Sequence, residues 1–286
     1  MTFSIVGFDP VTKELGVAVQ SKFLGVGSVV PWAKAGVGAV ATQSYANPAY
    51  GPDGLKLMEG GNTAQETVDL LTSQDEGKPL RQVGVVDAKG NSATFTGDQC
   101  FDWAGGKAGT CYAAQGNILV GADTVEAMAN TFEDAPGTLA ERLLKALDAG
   151  QEAGGDSRGR QSAAIYVVKE KGGYLEANDR YIDLRVDDHP DPIKELIRIY
   201  HLQQLYFGTT KKENIMKIEG PTRVEIQFQL YRLGFIAEEK VDDETLHKGL
   251  VSFMHVENFE GRELEKGKID KEVLDFMKSK EEDFNE

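Results

Sequence analysis

The sequence predicts a layered α+β domain followed by a smaller, mainly α-helical region. Three observations predict it. Short β-prone runs come as hairpins joined by turn residues, which makes their sheets antiparallel. Helical stretches arrive in pairs between groups of strands, which argues against alternating βαβ units. Of the 32 glycines, 26 precede residue 189, and the pattern beyond that point is helical.

Phe3–Phe8 opens the first strand, and Asp9-Pro10-Val11-Thr12-Lys13 is turn material before Leu15–Ser21 returns. Ser28–Lys34 and Val37–Ser44 read as two further strands. Helical periodicity follows in Gly54–Met58 and Thr63–Leu71. Gln82–Val86 and Ser92–Thr96 form a hairpin around Ala88-Lys89-Gly90-Asn91. A strand near Cys111–Gln115 precedes helices over Thr124–Glu133 and Thr138–Ala149. Ser162–Val168 and Gly173–Leu184 supply the last strands. The stretch from Asp187 to Pro192 is polar and proline-broken, so the division falls at 188/189, giving domains 1–188 and 189–286. Beyond it, Ile193–Tyr206, Val224–Leu233 and Leu246–Val256 have helical spacing, and 278–286 reads as a solvated acidic tail.

Asp and Glu number 46 against 31 Lys and Arg, a formal charge of −15. That surplus repels phosphate backbones and anionic lipid heads, so neither nucleic acid nor a membrane is expected as a partner. No apolar run approaches the ~18 residues of a membrane span, and no basic leader precedes the first strand. A soluble cytoplasmic protein is expected, with Cys100 and Cys111 as free thiols. The four histidines all lie at or beyond His189, which excludes a Ser-His-Asp pair, a Cys-His pair or a histidine-ligated zinc from residues 1–188. Asp183, Asp187, Asp188 and Asp191 with His189 match no calcium or zinc spacing and read as a solvated face; no metal and no cofactor is expected.

An enzyme built on residues 1–188 therefore needs a base other than imidazole. Thr2 offers one after removal of the initiator methionine, because it then carries both a hydroxyl and a free α-amine. The ordinary pKa of such an amine, ~7.7–8.0, leaves part of it unprotonated near neutral pH. A threonine activated by its own amine is an established nucleophile. The residues alone fit better a second position that merely permits methionine removal. Gly154–Ser162 packs Asp156, Arg158 and Arg160 into a glycine-rich loop entering a strand. That loop is either a bidentate clamp for a substrate carboxylate or a structural turn whose arginine pairs with Asp156.

Several longer blocks carry a family resemblance: Thr2-Phe3-Ser4-Ile5-Val6-Gly7, Gly16 to Lys22, Pro31 to Gln43, Arg81 to Asp87, Gln115-Gly116-Asn117, and Gly154 to Ala164. As a set they resemble the domain-of-unknown-function family 1028, whose members have the fold of N-terminal-nucleophile (Ntn) hydrolases. The resemblance implies a four-layer αββα sandwich with a nucleophile at the start of its first strand, where Thr2 stands. Proteasome β-subunits of that fold carry an Asp in a Val-Asp-Ser pattern beside a lysine. The similar stretch is Val19-Gln20-Ser21, so Gln20 replaces the carboxylate, and Lys34, or else Lys22, stands for the lysine. A neutral amide orients a neighbour but holds no charge, which argues against proteasome-like proteolysis.

Carried over residue by residue, Thr2 attacks, Lys34 stabilises charge, Gln20 orients, and N–H groups near Asn117 form the oxyanion hole. Asp156, Arg158, Arg160 and Ser162 hold the substrate. The implied activity is an amidohydrolase acting on a C–N bond of a small anionic molecule; the alternative is a non-catalytic Ntn-fold protein that binds a small ligand or a protein partner. Ile226 to Phe235, Val241-Asp242, Thr245 and Val251-Ser252-Phe253 resemble peptidoglycan-binding-like helical domains over about 220–277. In a cytoplasmic protein such a region is expected to make protein contacts or to stabilise a homo-oligomer.

Overall fold

A computed structural model describes residues 2–280. The first two strands, β1 (Thr2–Phe8) and β2 (Leu15–Ser21), are buried along their whole length, because both of their faces are covered. They lie at the centre of a six-stranded antiparallel sheet completed by β7 (Gly105–Gly109), β8 (Tyr112–Asn117), β9 (Ser162–Val168) and β10 (Arg180–Val186). Its order is β10-β9-β2-β1-β8-β7. A second antiparallel sheet, in the order β3-β4-β5-β6, holds β3 (Pro31–Lys34), β4 (Gly38–Ser44), β5 (Arg81–Asp87) and β6 (Ser92–Thr96).

The two sheets face each other, and a helix pair covers each outer face. On the four-stranded sheet these are α1 (Tyr50–Glu59) and α2 (Ala64–Ser73); on the six-stranded sheet, α3 (Asp123–Asp134) and α4 (Leu139–Glu152). Helices α2 and α4 each begin in a capping box, Thr63 with Glu66 and Thr138 with Glu141, which satisfies two otherwise orphaned N–H groups per helix. Gly7 and Gly16 let the helices approach: a Cβ on Gly7 would press on Phe132 and Leu139, and one on Gly16 on Leu143. The layers therefore run helices, sheet, sheet, helices.

Strand alternation divides the chemistry of the sheet-to-sheet interface. Toward one end it is apolar, with Val6, Phe8, Leu15, Val17 and Val19 packed on Ala39, Ala41 and Val86. Toward the other end it is made of amides. Gln43 Oε1 accepts from Ser4 Oγ at 2.6 Å, and its Nε2 donates to Gln82 Oε1 at 2.8 Å. Gln115 Nε2 donates to Ser4 Oγ at 2.7 Å, Asn117 Nδ2 to Gln82 Oε1 at 2.9 Å, and Gln82 Nε2 to the Gly116 carbonyl at 2.7 Å. All of these side chains are buried.

By contact density the chain forms two units, Met1–Ile199 and Tyr200–Glu286. The second is built from the end of α5 (Pro192–Phe207), α6 (Gly220–Arg232), α7 (Asp243–Val256) and α8 (Lys271–Ser279), with a short antiparallel pair, β11 (Ile215–Lys217) and β12 (Lys268–Asp270). Its own core gathers Ile226, Leu230, Leu250, Phe253, Phe259 and Met277. Buried Arg262 ties it together, donating to Asp270 and to the carbonyls of Gln204 and Leu205. No helix among the described residues is long and apolar enough to cross a membrane.

Several elements differ from the expectation. The division by contacts lies inside α5, beyond 188/189: Pro190 precedes and Pro192 opens a helix whose first turns, with Ile193 and Leu196 buried and Lys194 paired to Asp148, stay with the first unit. Strand β7, Gly-Gly-Lys-Ala-Gly, has too little β propensity to be read from its own residues and is held by pairing with β8. The third strand begins only at Pro31, after a 3₁₀ turn at Val26–Ser28, and β10 begins at Arg180 rather than Gly173. Of the expected acidic tail, Lys278 and Ser279 end α8, and residues 281–286 lie outside the described residues.

Two outcomes are expected. A chain ended after residue 199 should unfold cooperatively and at a higher urea midpoint than one ended after 188, since burial of Ile193 and Leu196 contributes about 1.5–3 kcal/mol each. Gln43→Leu should lower unfolding free energy by at least ~2 kcal/mol in urea melts, because it orphans the buried partners of the amide.

Candidate active site

At the amide-rich end the two sheets part over a cavity of about 340 Å³. Thr2 stands on its floor. It is the first residue of β1, pairs across the sheet with Asn117 of β8, and its Oγ1 donates to Ser21 Oγ at 3.1 Å. Gln43 completes the floor and donates from Nε2 to the Thr2 carbonyl at 3.3 Å. Val26, Val29 and Val30, from the segment joining β2 to β3, form an apolar wall with Phe23.

Two guanidinium groups, Arg81 and Arg158, also line the cavity, and each is aimed by a carboxylate behind it. Asp156 has no side-chain exposure and receives Arg158 Nη2 at 3.0 Å, Arg158 Nε at 3.3 Å and the Lys22 N–H at 3.0 Å. Asp75, from the turn after α2, receives Arg81 Nε at 2.9 Å, the Tyr50 hydroxyl at 2.9 Å and Asn47 Nδ2 at 3.1 Å. Arg81 Nη1 in turn holds the Tyr45 carbonyl at 2.5 Å. The Arg81 guanidinium holds the Asp75 carboxyl far below the usual carboxylate range, while burial and the bond to Asp75 push the Tyr50 hydroxyl above its ordinary value. The described lining contains arginine as its only charged residue type: no lysine, histidine or carboxylate reaches it.

The structure brings Thr2 and Arg158 to one cavity, with Asp156 behind Arg158 and Asn117 beside Thr2. The Asn117 side-chain amide donates to Gln82 inside the sheet interface. The other expected residues lie elsewhere, and these are corrections. Lys34 sits at the hairpin end of β3, paired in register with Gly38; that end is six residue steps, roughly 20 Å, along β4 from Ser44 at the cavity. Its ammonium pairs with Glu59 at 2.5 Å and is 47% exposed. Gln20 is one residue from Ser21, so alternation turns it to the opposite face of the sheet, with Gly16, toward α4. There its amide atoms are buried without a hydrogen-bond partner among the described residues. Arg160 pairs with Asp191 at 3.0 Å, and Lys22 Nζ donates to the Arg160 carbonyl. Ser162 is buried away from the cavity: it donates to the Phe23 carbonyl and accepts from the Val26 N–H, and so pins the apolar wall.

Ser21, Gln43 and Arg81 were missed as site residues. Each stands inside a block already noted, and the signal that finds Ser21 is hairpin register: Phe3 pairs with Gln20, so Ser21 shares a face with Thr2. No such local signal marks Arg81, which arrives from a different sheet. The acidic residues near the domain junction form no metal cluster among the described residues; Asp183 pairs with Arg180 and Arg185. Cys100 and Cys111 are free thiols, and burial pushes the Cys111 thiol up.

A sequence profile described as "Family of unknown function (DUF1028)" matches residues 2–196. The chain belongs to that family. The profile "Putative peptidoglycan binding domain" matches residues 206–277, so this DUF1028 chain carries a peptidoglycan-binding-like region after the family domain. Among solved structures, the chain is similar to the crystal structure of a DUF1028 protein from Silicibacter pomeroyi, at 31% identity and a TM-score of 0.66. The match covers 72% of this chain and 91% of that one. No curated protein matches the chain.

The Asp75–Arg81 pair sets a pH dependence. A depressed carboxylate stabilises the fold fully above its unfolded value of ~3.9, and that contribution is lost as pH falls toward the depressed value. Asp75→Asn should therefore melt below the wild type at neutral pH, with the gap narrowing progressively below about pH 4. Thermal melts of both proteins across that range check it.

Proposed function

We propose that this DUF1028 chain is an Ntn-type amidohydrolase that cleaves the C–N bond of a small anionic amide. One observation carries the reading: Thr2 begins a central strand and opens into a cavity that also holds Ser21 and two arginines. With Met1 removed, Oγ1 of Thr2 attacks the amide carbonyl carbon and the Thr2 α-amine accepts its proton. The C–N bond then breaks, the amine leaves with that proton, and water hydrolyses the Thr2 ester. A cation near the amine lowers its pKa and favours the free base; Arg158, which lines the cavity with Thr2, is the candidate for that role in place of Lys34. The four-layer arrangement with the first strand at its centre supports the Ntn assignment, as does the family resemblance.

A second reading, a non-catalytic ligand-binding member of the fold, is favoured by one feature. The described lining offers no lysine, carboxylate or imidazole, so a chain that keeps Met1, and with it a blocked Thr2 amine, has no side-chain base at the cavity.

Intact mass separates the two at the outset: the nucleophile reading expects the expressed protein to lack one methionine. In a screen of small amides, Thr2→Ala should abolish turnover while Lys34→Ala, whose ammonium is bound to Glu59, retains it. Turnover by protein that keeps Met1, or by Thr2→Ala, would sink the nucleophile assignment.

A further inference from the structure

The cavity is built in two chemical halves, and its apolar half is as deliberately held as its cationic one. Ser162 clamps the segment carrying Phe23 and Val26 from both sides, through the Phe23 carbonyl and the Val26 N–H. The Gly25 N–H is bonded to the Asp187 carbonyl, and Gly27 packs so closely on Ala164 that a Cβ would come within 2.6 Å of the Ala164 Cβ. The wall is thus fixed before any ligand arrives, which spares the cost of ordering it on binding. Phe23 is nevertheless 51% exposed and Tyr45 55% exposed at the cavity, and Tyr45 lies 6.3 Å from the ring of Phe101, itself exposed. Apolar surface gathered around a formed pocket is surface for a ligand to cover.

Opposite chemistry shares the same small volume. Arg158 and Arg81 are each backed by a carboxylate that fixes where the guanidinium points, the arrangement that suits forked recognition of a carboxylate. At about 340 Å³ the cavity is at the low end of the ~300–1,000 Å³ seen for small-molecule sites. It suits a compound about as large as an acylated amino acid.

Resting on the amidohydrolase reading, we infer that the substrate is an amide bearing a carboxylate on one side of the scissile bond and a bulky apolar group on the other. The carboxylate meets Arg158 and Arg81, and the apolar group lies on Phe23 and the valine wall. Two compounds share that chemistry with the groups reversed: N-(phenylacetyl)glycine, with the apolar group on the acyl side, and succinanilate, with it on the amine side.

The test is calorimetric binding to full-length Thr2→Ala protein, which cannot turn over by the proposed route. Controls are N-acetylglycine, which keeps only the carboxylate, and phenylacetamide, which keeps only the apolar part. At least one two-headed probe should bind about tenfold or more tighter than both controls, a difference of ~1.4 kcal/mol. Arg158→Gln should erase its advantage over phenylacetamide, and Phe23→Ala should reduce its advantage over N-acetylglycine severalfold. Where Arg158→Gln fails to melt cooperatively, Arg158→Lys carries the same expectation, because an ammonium makes no forked contact. The inference is overturned when the controls bind as tightly as the two-headed probes, or when neither probe binds at millimolar concentration. Wild-type turnover is read separately. Selective binding without turnover sinks the nucleophile reading alone, and turnover of an amide without this selectivity sinks the substrate class alone.

Discussion

The structure depends on a buried amide network that joins the two sheets at one end. Gln43, Gln82, Gln115, Asn117 and Ser4 are taken from water and bond one another inside, with Gln115 Oε1 left buried without a partner among the described residues. A one-residue slip of β4 or β5 would turn Gln43 or Gln82 out of the interface and leave the opposing groups orphaned, at about 1–3 kcal/mol each. The apolar end of the same interface is less demanding, since valines and alanines pack in many registers. The network therefore sets the register of both sheets, and with it the position of everything at the cavity. Gly84 shows how closely it is drawn: a Cβ there would overlap the Gln115 amide.

Function grows out of the same constraint. The network ends at the Thr2 carbonyl, held by Gln43, so the residue proposed to react is anchored through its backbone while its side chain faces Ser21. Around it the charges come in aimed pairs. A guanidinium at a cavity wall is costly to desolvate alone, and a carboxylate behind it both offsets that cost and fixes its direction. Asp156 does this for Arg158 from two residues away, and Asp75 for Arg81 from six. The protein carries a large negative charge overall. The cavity presents cations because Arg81 and Arg158 line it while Asp75 and Asp156 stay outside its lining.

Much of the fold was legible because its signals are local. The Asp9–Lys13 turn marks the first hairpin, and capping boxes at Thr63 and Thr138 mark helix starts within one residue of those expected. Strand β7 was not legible, because its glycines and single lysine acquire strand geometry only from their neighbour β8. Site residues divide in the same way. Thr2, Asp156 and Arg158 stand out by type and by their surroundings in the chain. Lys34 was placed beside Thr2 by analogy along the sequence, and the geometry instead puts it at the hairpin end of β3, opposite the end of β4 that reaches the cavity. Gln20 and Ser21 differ by one position, and that single step of the pleat moves a side chain from one face of the sheet to the other.

The sequence by itself determined the class of the fold, the absence of imidazole chemistry from the first 188 residues, and a threonine at the head of the first strand. These follow from composition and from spacings of two to four residues, which the backbone reads locally. Only the tertiary structure decided which groups share the cavity with that threonine. Ser21, Gln43, Arg81 and Arg158 come from four separate stretches of chain, and what unites them is the register of two facing sheets. That register is settled by buried amides pairing across dozens of residues of sequence, an interaction that exists only once the layers have closed.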